Sequence, residues 1–468
     1  MGKPLAGNTF LGVNNGVNLF VNTPIHPIGI PKNKTISVAN ESATYSCSGR
    51  YIYIHHNLPD KFSKDLLKNC DSLTQGSDKP NMCPYLENFG FGPEINNSDG
   101  VLANNSWFST NQFSLDVIFH NKMKQYECLT NNSTLASAIY VPIYAGLEDS
   151  LHLWDPNLTT RDSFGLDFVK WVTTRSEWKK MWGRDHFFVD GRISWDFRRQ
   201  TNNVSDWGSK FRFLPESKNM TMLSIEGSSW TNDIAIPYPT GFHPAKDSEL
   251  LQWQNKMRKQ ERPYLFAFVG APRPEIKNSI RGKLIDQCQA SSSCKLLNCN
   301  LGGNNCADPA SILRVFQRSV YCLQPTGDSY TRRSAFDSFL AGCIPVFFHP
   351  GSAYSQYLWH LPKNHTEFSV FIPVKDVTDL NEVSIEKILL GILKDKELAM
   401  REEVIGLIPN LVYSDPGSRL RTPDAFDIAI KRILERIENV RKEIREGKDP
   451  SIRFSEEEGN KYKFNVTI

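Results

Sequence analysis

The sequence predicts an α/β protein of two domains, each built on a parallel sheet. Three observations carry that reading. The chain has 468 residues, of which 40% are hydrophobic and 22% charged, too many for one ordinary core and typical of a folded enzyme. Short apolar runs recur in both halves, separated by longer helical stretches, as strands joined by crossover helices would be. A polar, helix-like segment from Lys246 to Arg262 divides the two sets of runs.

Residues 1–45 are rich in Gly, Asn, Pro and Thr without sustained periodicity and are expected to form a flexible stem. The first domain, 46–250, opens on Tyr51-Ile52-Tyr53-Ile54, a buried-strand candidate that leaves through the polar, proline-containing run His55 to Pro59. Ala138 to Pro142, His186 to Val189 and Met222 to Ile225 continue the series. The dividing helix carries Leu250, Leu251, Trp253 and Met257 into the second domain, 251–420. There the strand candidates are Tyr264 to Gly270, Ser319 to Leu323, Cys343 to Phe348 and Ser369 to Ile372. Residues 421–468 read as a terminal helix and tail. Thr422 is expected to cap the helix, Pro423 to take its first position, and Phe426, Ile430, Ile433, Ile437 and Val440 to line one face. Arg441 to Asn460 reads as a solvated tail.

Charge and cysteine content narrow the class. The 54 basic and 51 acidic side chains leave a net charge of +3, which does not provide the concentrated phosphate-neutralising surface that nucleic acid requires. The ten cysteines contain no Cys-x-x-Cys pair, so disulfides fit better than a metal site. Cys322 and Cys343, in strand-like apolar runs, could also be free core thiols. Asn-x-Ser/Thr acceptors at Asn33, Asn40, Asn96, Asn104, Asn131, Asn132, Asn157, Asn203, Asn219, Asn364 and Asn465 point to passage through a secretory lumen. No stretch approaches the roughly 20 apolar residues that span a bilayer.

The densest polar cluster, Gln324 to Asp337, lies between two strand candidates. In an open parallel sheet, ligands bind beyond the carboxyl ends of strands, where a loop and a helix N-terminus present N–H groups to phosphate. Gly327 permits close backbone approach, and Asp328 stands beside it in the same turn. Ser329, Thr331 and Ser334 offer hydroxyls, and Arg332 or Arg333 supplies a forked donor suited to a diphosphate. Asp337, about one helical turn after Arg333, could accept from ribose hydroxyls. The same residues also fit a loop with a capped helix and a surface Arg–Asp pair. A second strand-to-loop transition, Phe268 to Arg273 with Ser279 and Arg281 opening the next helix, repeats the phosphate-facing arrangement.

Longer motifs carry a family resemblance. Thr110-Asn111-Gln112-Phe113, Gly183-Arg184-Asp185-His186-Phe187, Gly191-Arg192-Ile193 and Trp195-Asp196-Phe197-Arg198-Arg199 lie in the first half. Phe242-His243-Pro244-Ala245-Lys246-Asp247, Gly327 to Asp337 and Gly342-Cys343-Ile344-Pro345-Val346-Phe347-Phe348-His349-Pro350-Gly351 follow. Over roughly residues 50 to 440 the chain resembles the plant xyloglucan galactosyltransferases of the exostosin family, glycosyltransferase family 47.

The resemblance implies a glycosyltransferase-B architecture, two Rossmann-like domains facing a cleft. The acceptor would bind the first domain and UDP-galactose the second, with inversion building a β-galactosyl-xylose side chain. It also implies a Golgi-lumenal, type II membrane protein whose anchoring segment is absent from this sequence, and possible association with other xyloglucan synthesis enzymes. No cofactor is expected, and the absence of Asp-x-Asp accords with a metal-independent enzyme.

Inversion needs a general base opposite the leaving UDP. The candidates are Glu226 and Asp196, which follow strand candidates beside Trp230 and Trp195, and His186, which reads rather as a satisfied core or cleft histidine that orients a neighbour. Tyr144, Trp195 and Trp230 are candidates to stack on acceptor sugars. Two rival readings are the same acceptor with galacturonic acid or arabinopyranose as donor sugar, and a non-catalytic glucan-binding scaffold subunit.

Overall fold

A computed structural model describes residues 47–73, 81–96, 99–276, 279–299, 306, 308–379, 383–450 and 454–458. Two parallel sheets organise these residues. The first is made of β1 (Tyr51–Ile54), β2 (Ala136–Tyr140), β3 (His186–Ile193), β4 (Thr221–Glu226) and β5 (Asp233–Ala235), in that spatial order. The second is made of β6 (Tyr264–Gly270), β7 (Cys294–Asn298), β8 (Ser319–Gln324), β9 (Ile344–Phe347) and β10 (Val370–Phe371), in the order β10-β9-β8-β6-β7. Every strand pairing is parallel. The interior strands β4 and β8 are buried along their whole length, which is why apolar residues dominate Met222 to Ile225 and Val320 to Leu323.

Two strands escape the apolar pattern for physical reasons. β5 is three residues long and starts with a buried aspartate. Asp233 sits between two buried guanidinium groups, with Arg198 Nε 2.5 Å and Arg212 Nη2 2.8 Å from its oxygens. β7 is an edge strand, Cys-Lys-Leu-Leu-Asn, with no fully buried position, as the end of a sheet tolerates.

The terminal helix, Ala425–Arg445, starts later than expected. Its cap is Asp424, not Thr422: Asp424 Oδ1 accepts from Asp427 N at 3.0 Å, and Asp424 N donates to Asp427 Oδ2 at 3.2 Å. Thr422 N is held by Asp247 instead. The apolar face of this helix lies on the first sheet and its flanking helix, although the chain reaches it only after the second sheet is complete. Phe426 packs 4.8 Å from Phe119, Arg441 donates to the Ala136 carbonyl at 3.2 Å, and Lys122 pairs with Asp424 at 2.7 Å in a buried setting. The charged tail also departs from the solvated reading. Phe454 is buried, and the Trp230 and Glu457 backbones form a bridge.

All ten cysteines are paired: Cys47–Cys128, Cys70–Cys83, Cys288–Cys294, Cys299–Cys306 and Cys322–Cys343. Cys322 and Cys343 are therefore not free thiols. Cys322 lies on β8 and Cys343 immediately precedes β9, its neighbour in the sheet, which brings their Cα atoms to 5.8 Å. Among the described residues no helix is long and apolar enough to cross a membrane.

Candidate active site

The loops beyond the carboxyl ends of β4 and β8 meet, joining the two halves. Glu226, the last residue of β4, is fully buried. Its Oε2 accepts from Ser329 Oγ at 2.7 Å, Thr331 N at 2.8 Å and Thr331 Oγ1 at 2.5 Å, and its Oε1 accepts from Trp195 Nε1 at 3.1 Å. Burial raises the pKa of this carboxyl, and the donors on it oppose the rise. The junction is reinforced nearby. Gln356 exchanges two 3.0 Å hydrogen bonds with the Gly227 backbone, and Tyr357 donates to the Ile225 carbonyl at 2.7 Å. The loop turns back tightly at Gly327, where a Cβ would lie 2.8 Å from the Thr331 carbonyl oxygen.

Three guanidinium groups collect on the other side of that loop. Arg273 pairs with Asp328, Arg281 donates to the Thr326 carbonyl at 3.0 Å, and Arg332 donates to the Val269 carbonyl at 3.2 Å. Burial first, and then the Arg281 charge, push the Arg332 pKa down to about 9; burial and Arg273 lower that of Arg281. Arg332 Nη1 is buried without a hydrogen-bond partner among the described residues. The following helix, Arg333–Leu340, has no side-chain cap; Ala335 N turns back to the Arg332 carbonyl at 3.2 Å, which leaves the N–H groups of Arg333 and Ser334 for an anion. A cluster of mutually repelling cations beside an uncapped helix start is a strong anion site.

The rest of the predicted donor set divides by direction. Arg333 turns away from the cluster, toward the first half, where it donates to the Thr110 carbonyl and lies 3.7 Å from Asp337. Ser334 donates to Gln324, and burial raises the pKa of Asp337. The hydroxyls of Ser329 and Thr331 face Glu226 rather than the guanidinium cluster. The long reach from Glu226 to Thr331 has no signal in the local sequence.

Several first-half expectations are corrected. His186 is the first residue of β3, at the edge opposite the carboxyl ends of the strands. It is buried, with Nδ1 2.8 Å from Asp185 Oδ1 and Nε2 3.4 Å from His55 Nε2, which fits the core histidine that its sequence context favours rather than a base. Tyr144 is buried, with its hydroxyl 2.6 Å from His120 Nδ1, so no ring face is open to a sugar. Trp230 is stacked by the Arg198 guanidinium at 3.9 Å and pinned by the returning tail. Trp195 is half-buried and spends its indole N–H on Glu226.

Asp196 follows β3 at the carboxyl end. Its Oδ2 accepts from Arg192 Nε at 2.6 Å and its Oδ1 from Trp207 Nε1 at 3.0 Å. Behind it lie Asp116, Asp149 and Asp190, buried carboxyls whose pKa values desolvation raises, Asp116 to about 7. Arg192 is the cation that faces them. Arg192 lies in the last part of β3, which extends through Gly191-Arg192-Ile193 beyond the apolar run His186 to Val189; the local sequence carries no signal for its part in this cluster.

Residues 46–388 match the exostosin GT47 domain. The chain is 58% identical over 396 residues to the probable xyloglucan galactosyltransferase GT14 of Arabidopsis thaliana, covering 84% of this chain and 75% of that protein. It is 54% identical over 418 residues to the xyloglucan galactosyltransferase MUR3 of the same plant, covering 89% and 67%. The Arabidopsis thaliana xyloglucan-specific galacturonosyltransferase 1 is 42% identical over 402 residues, covering 85% and 59%.

Proposed function

Because the chain belongs to the exostosin GT47 family, we propose that it is an inverting glycosyltransferase that moves galactose from UDP-galactose to a xylose side chain of xyloglucan. The observation that carries this reading is the Arg273, Arg281 and Arg332 cluster at an uncapped helix start, held against the first half through Glu226. A diphosphate placed there neutralises the mutual repulsion and stabilises the charge that develops on departing UDP. Five proteins named for galactose transfer, at 49% to 58% identity, are more similar to this chain than the one named for galacturonic acid, at 42%, which itself stands level with two further proteins named as galactosyltransferases at 40% and 41%; the five support galactose as the donor sugar. The intact cation cluster disfavours a non-catalytic scaffold.

In the reaction, a xylose hydroxyl oxygen bonds to the anomeric carbon of galactose while the bond to the UDP oxygen breaks, and UDP leaves with that electron pair. The hydroxyl proton passes to a base. A carboxylate has about four acceptor positions, and Glu226 already receives four hydrogen bonds. It is therefore assigned to positioning the donor loop. Asp196 receives two and keeps capacity for the incoming hydroxyl, so the base is assigned to Asp196. Guanidinium groups take the part that a divalent cation plays in other glycosyltransferases. The proposed setting is the Golgi lumen, with type II anchoring.

The test incubates the purified protein with UDP-galactose and a xylosylated, galactose-free xyloglucan oligosaccharide, with and without chelator, and weighs the products. One added hexose that survives chelation is expected. A product formed only from UDP-galacturonic acid would replace the donor, and UDP binding without any transfer would support the scaffold reading.

A further inference from the structure

Trp154, outside the contacts described so far, stands beside Trp207, the donor to Asp196. Trp154 is 53% exposed, and its ring centroid lies 6.2 Å from that of Trp207, with the planes inclined at 45°. A single exposed indole is ordinary, as Trp182 shows at 57% exposure, but two indoles side by side form more than a scattered apolar surface. Leu151, at the end of the helix Ala145–His152 that precedes Trp154, and Val204, in the Trp207 loop, are exposed as well.

The pair is built, not incidental. One buried guanidinium, Arg161, holds both loops: Nε donates to the Asp155 carbonyl at 2.5 Å, Nη2 to Val204 at 2.9 Å, and Nη1 to Asp206. Gly208 N donates to the Leu153 carbonyl at 2.9 Å, and Gly208 has φ +79° with a Cβ position only 2.1 Å from the Asp196 carbonyl oxygen. Neither loop can shift its tryptophan independently of the other. Trp207 then donates its indole N–H to Asp196, whose neighbour Trp195 donates to Glu226, the end of β4 that holds the donor loop through Ser329. A continuous set of contacts thus leads from the donor loop to the tryptophan pair along one edge of the first sheet.

We infer that Trp154 and Trp207 form a platform for the β-linked glucan backbone of the acceptor, several sugars long, which sets which xylose branch reaches Asp196. The apolar C–H faces of successive glucose rings stack on indole faces, while their equatorial hydroxyls remain in water, a chemistry suited to an inclined aromatic pair of which Trp154 is exposed and Trp207 half-buried. This inference rests on the acceptor reading above and extends it from the reacting xylose to the chain that carries it.

The test compares wild type with Trp154→Ala and Trp207→Phe, using two galactose-free acceptors: a xyloglucan oligosaccharide several glucoses long and the disaccharide xylosyl-glucose. For Trp154→Ala the KM for the long acceptor is expected to rise about tenfold or more, while kcat/KM for the disaccharide and the UDP affinity stay at wild-type values. Trp207→Phe keeps a ring but loses the hydrogen bond to Asp196, so it should lower kcat on both acceptors. Equal KM values for Trp154→Ala and wild type on the long acceptor overturn the platform.

The acceptor sites Asn157 and Asn203 flank the pair in sequence. A lowered unfolding temperature for Trp154→Ala on the glycosylated protein, matched by Asn157→Gln and accompanied by unchanged KM, assigns the ring to an N-linked glycan and also overturns the platform. Long oligosaccharide that binds, loses affinity on Trp154→Ala and yet gains no galactose leaves the platform standing and removes the donor reading.

Discussion

Glu226 receives both the backbone N–H and the hydroxyl of Thr331, at 2.8 and 2.5 Å, across a separation of 105 residues. The end of a first-sheet strand thereby fixes the loop that precedes the anion site. Replacing Glu226 with Gln turns one oxygen into an N–H group facing N–H and O–H donors, and leaving a buried donor unmet costs about 1–3 kcal/mol. Glu226→Gln is expected to unfold at lower temperature and to lose about tenfold or more in kcat with unchanged acceptor KM. Wild-type kcat in that variant would remove the positioning role.

Arg332 should behave differently. Its charge is held among other guanidiniums with one buried nitrogen unpartnered, so Arg332→Ala relieves repulsion in the empty protein. The expected unfolding temperature without ligand is equal to or above that of wild type. The stabilisation given by saturating UDP should fall, because a hydrogen bond to a charged group contributes about 1.5–3 kcal/mol. Scanning calorimetry with and without UDP reads both.

If Asp196 is the base, Asp196→Asn keeps the shape and the Trp207 hydrogen bond but cannot take the proton. A loss of about 100- to 10,000-fold in kcat, with retained UDP binding, is expected. A loss confined to acceptor KM would assign Asp196 to binding alone.

The buried carboxyls predict a pH dependence of stability. Desolvation raises Asp116 to about 7 from a model-peptide value near 3.8, so between those pH values the folded state binds more protons than the unfolded state. The contribution of Asp116 to stability therefore falls as pH rises from about 4 to about 7 and levels off above; Asp149 and Asp190 act in the same direction, whereas the buried His55, His120, His243 and His360, whose pKa values desolvation lowers, act oppositely up to about pH 6.5. Asp116→Asn, which titrates no longer, should flatten that slope and stabilise the protein by at least about 1 kcal/mol at pH 8. Melting temperatures from pH 5 to 8 give the comparison.

Much of this fold is legible in the chain because parallel sheets bury both faces of their strands. β1, β3, β4, β6 and β8 are apolar runs that need no partner to be recognised, and the terminal helix declares itself by the repeat from Phe426 to Val440. β5 hides because its Asp233 is made buryable by Arg198 and Arg212, residues 35 and 21 positions away. The site follows the same division. The arginines and Gly327 announce an anion loop locally, but what Ser329 and Thr331 bind is decided by β4, and Tyr144 and Trp230 look like sugar platforms until His120 and Arg198 are seen on them. Composition distinguishes an exposed tryptophan from a packed one no better, which is why Trp154 is visible only in three dimensions.

The terminal helix has a consequence for how the chain is made. Its apolar face covers strands that leave the ribosome long before it does, so the first half to be synthesised is the last to be finished. Until residues beyond Asp424 emerge, Ile52, Ala138 and Tyr140 lack Ile430, Ile433 and Ile437 of their shared core, and a nascent first half presents a bare apolar face to chaperones and to other copies of itself. Stopping translation shortly before the helix would release not a working second half beside a working first, but a chain whose amino-terminal sheet aggregates.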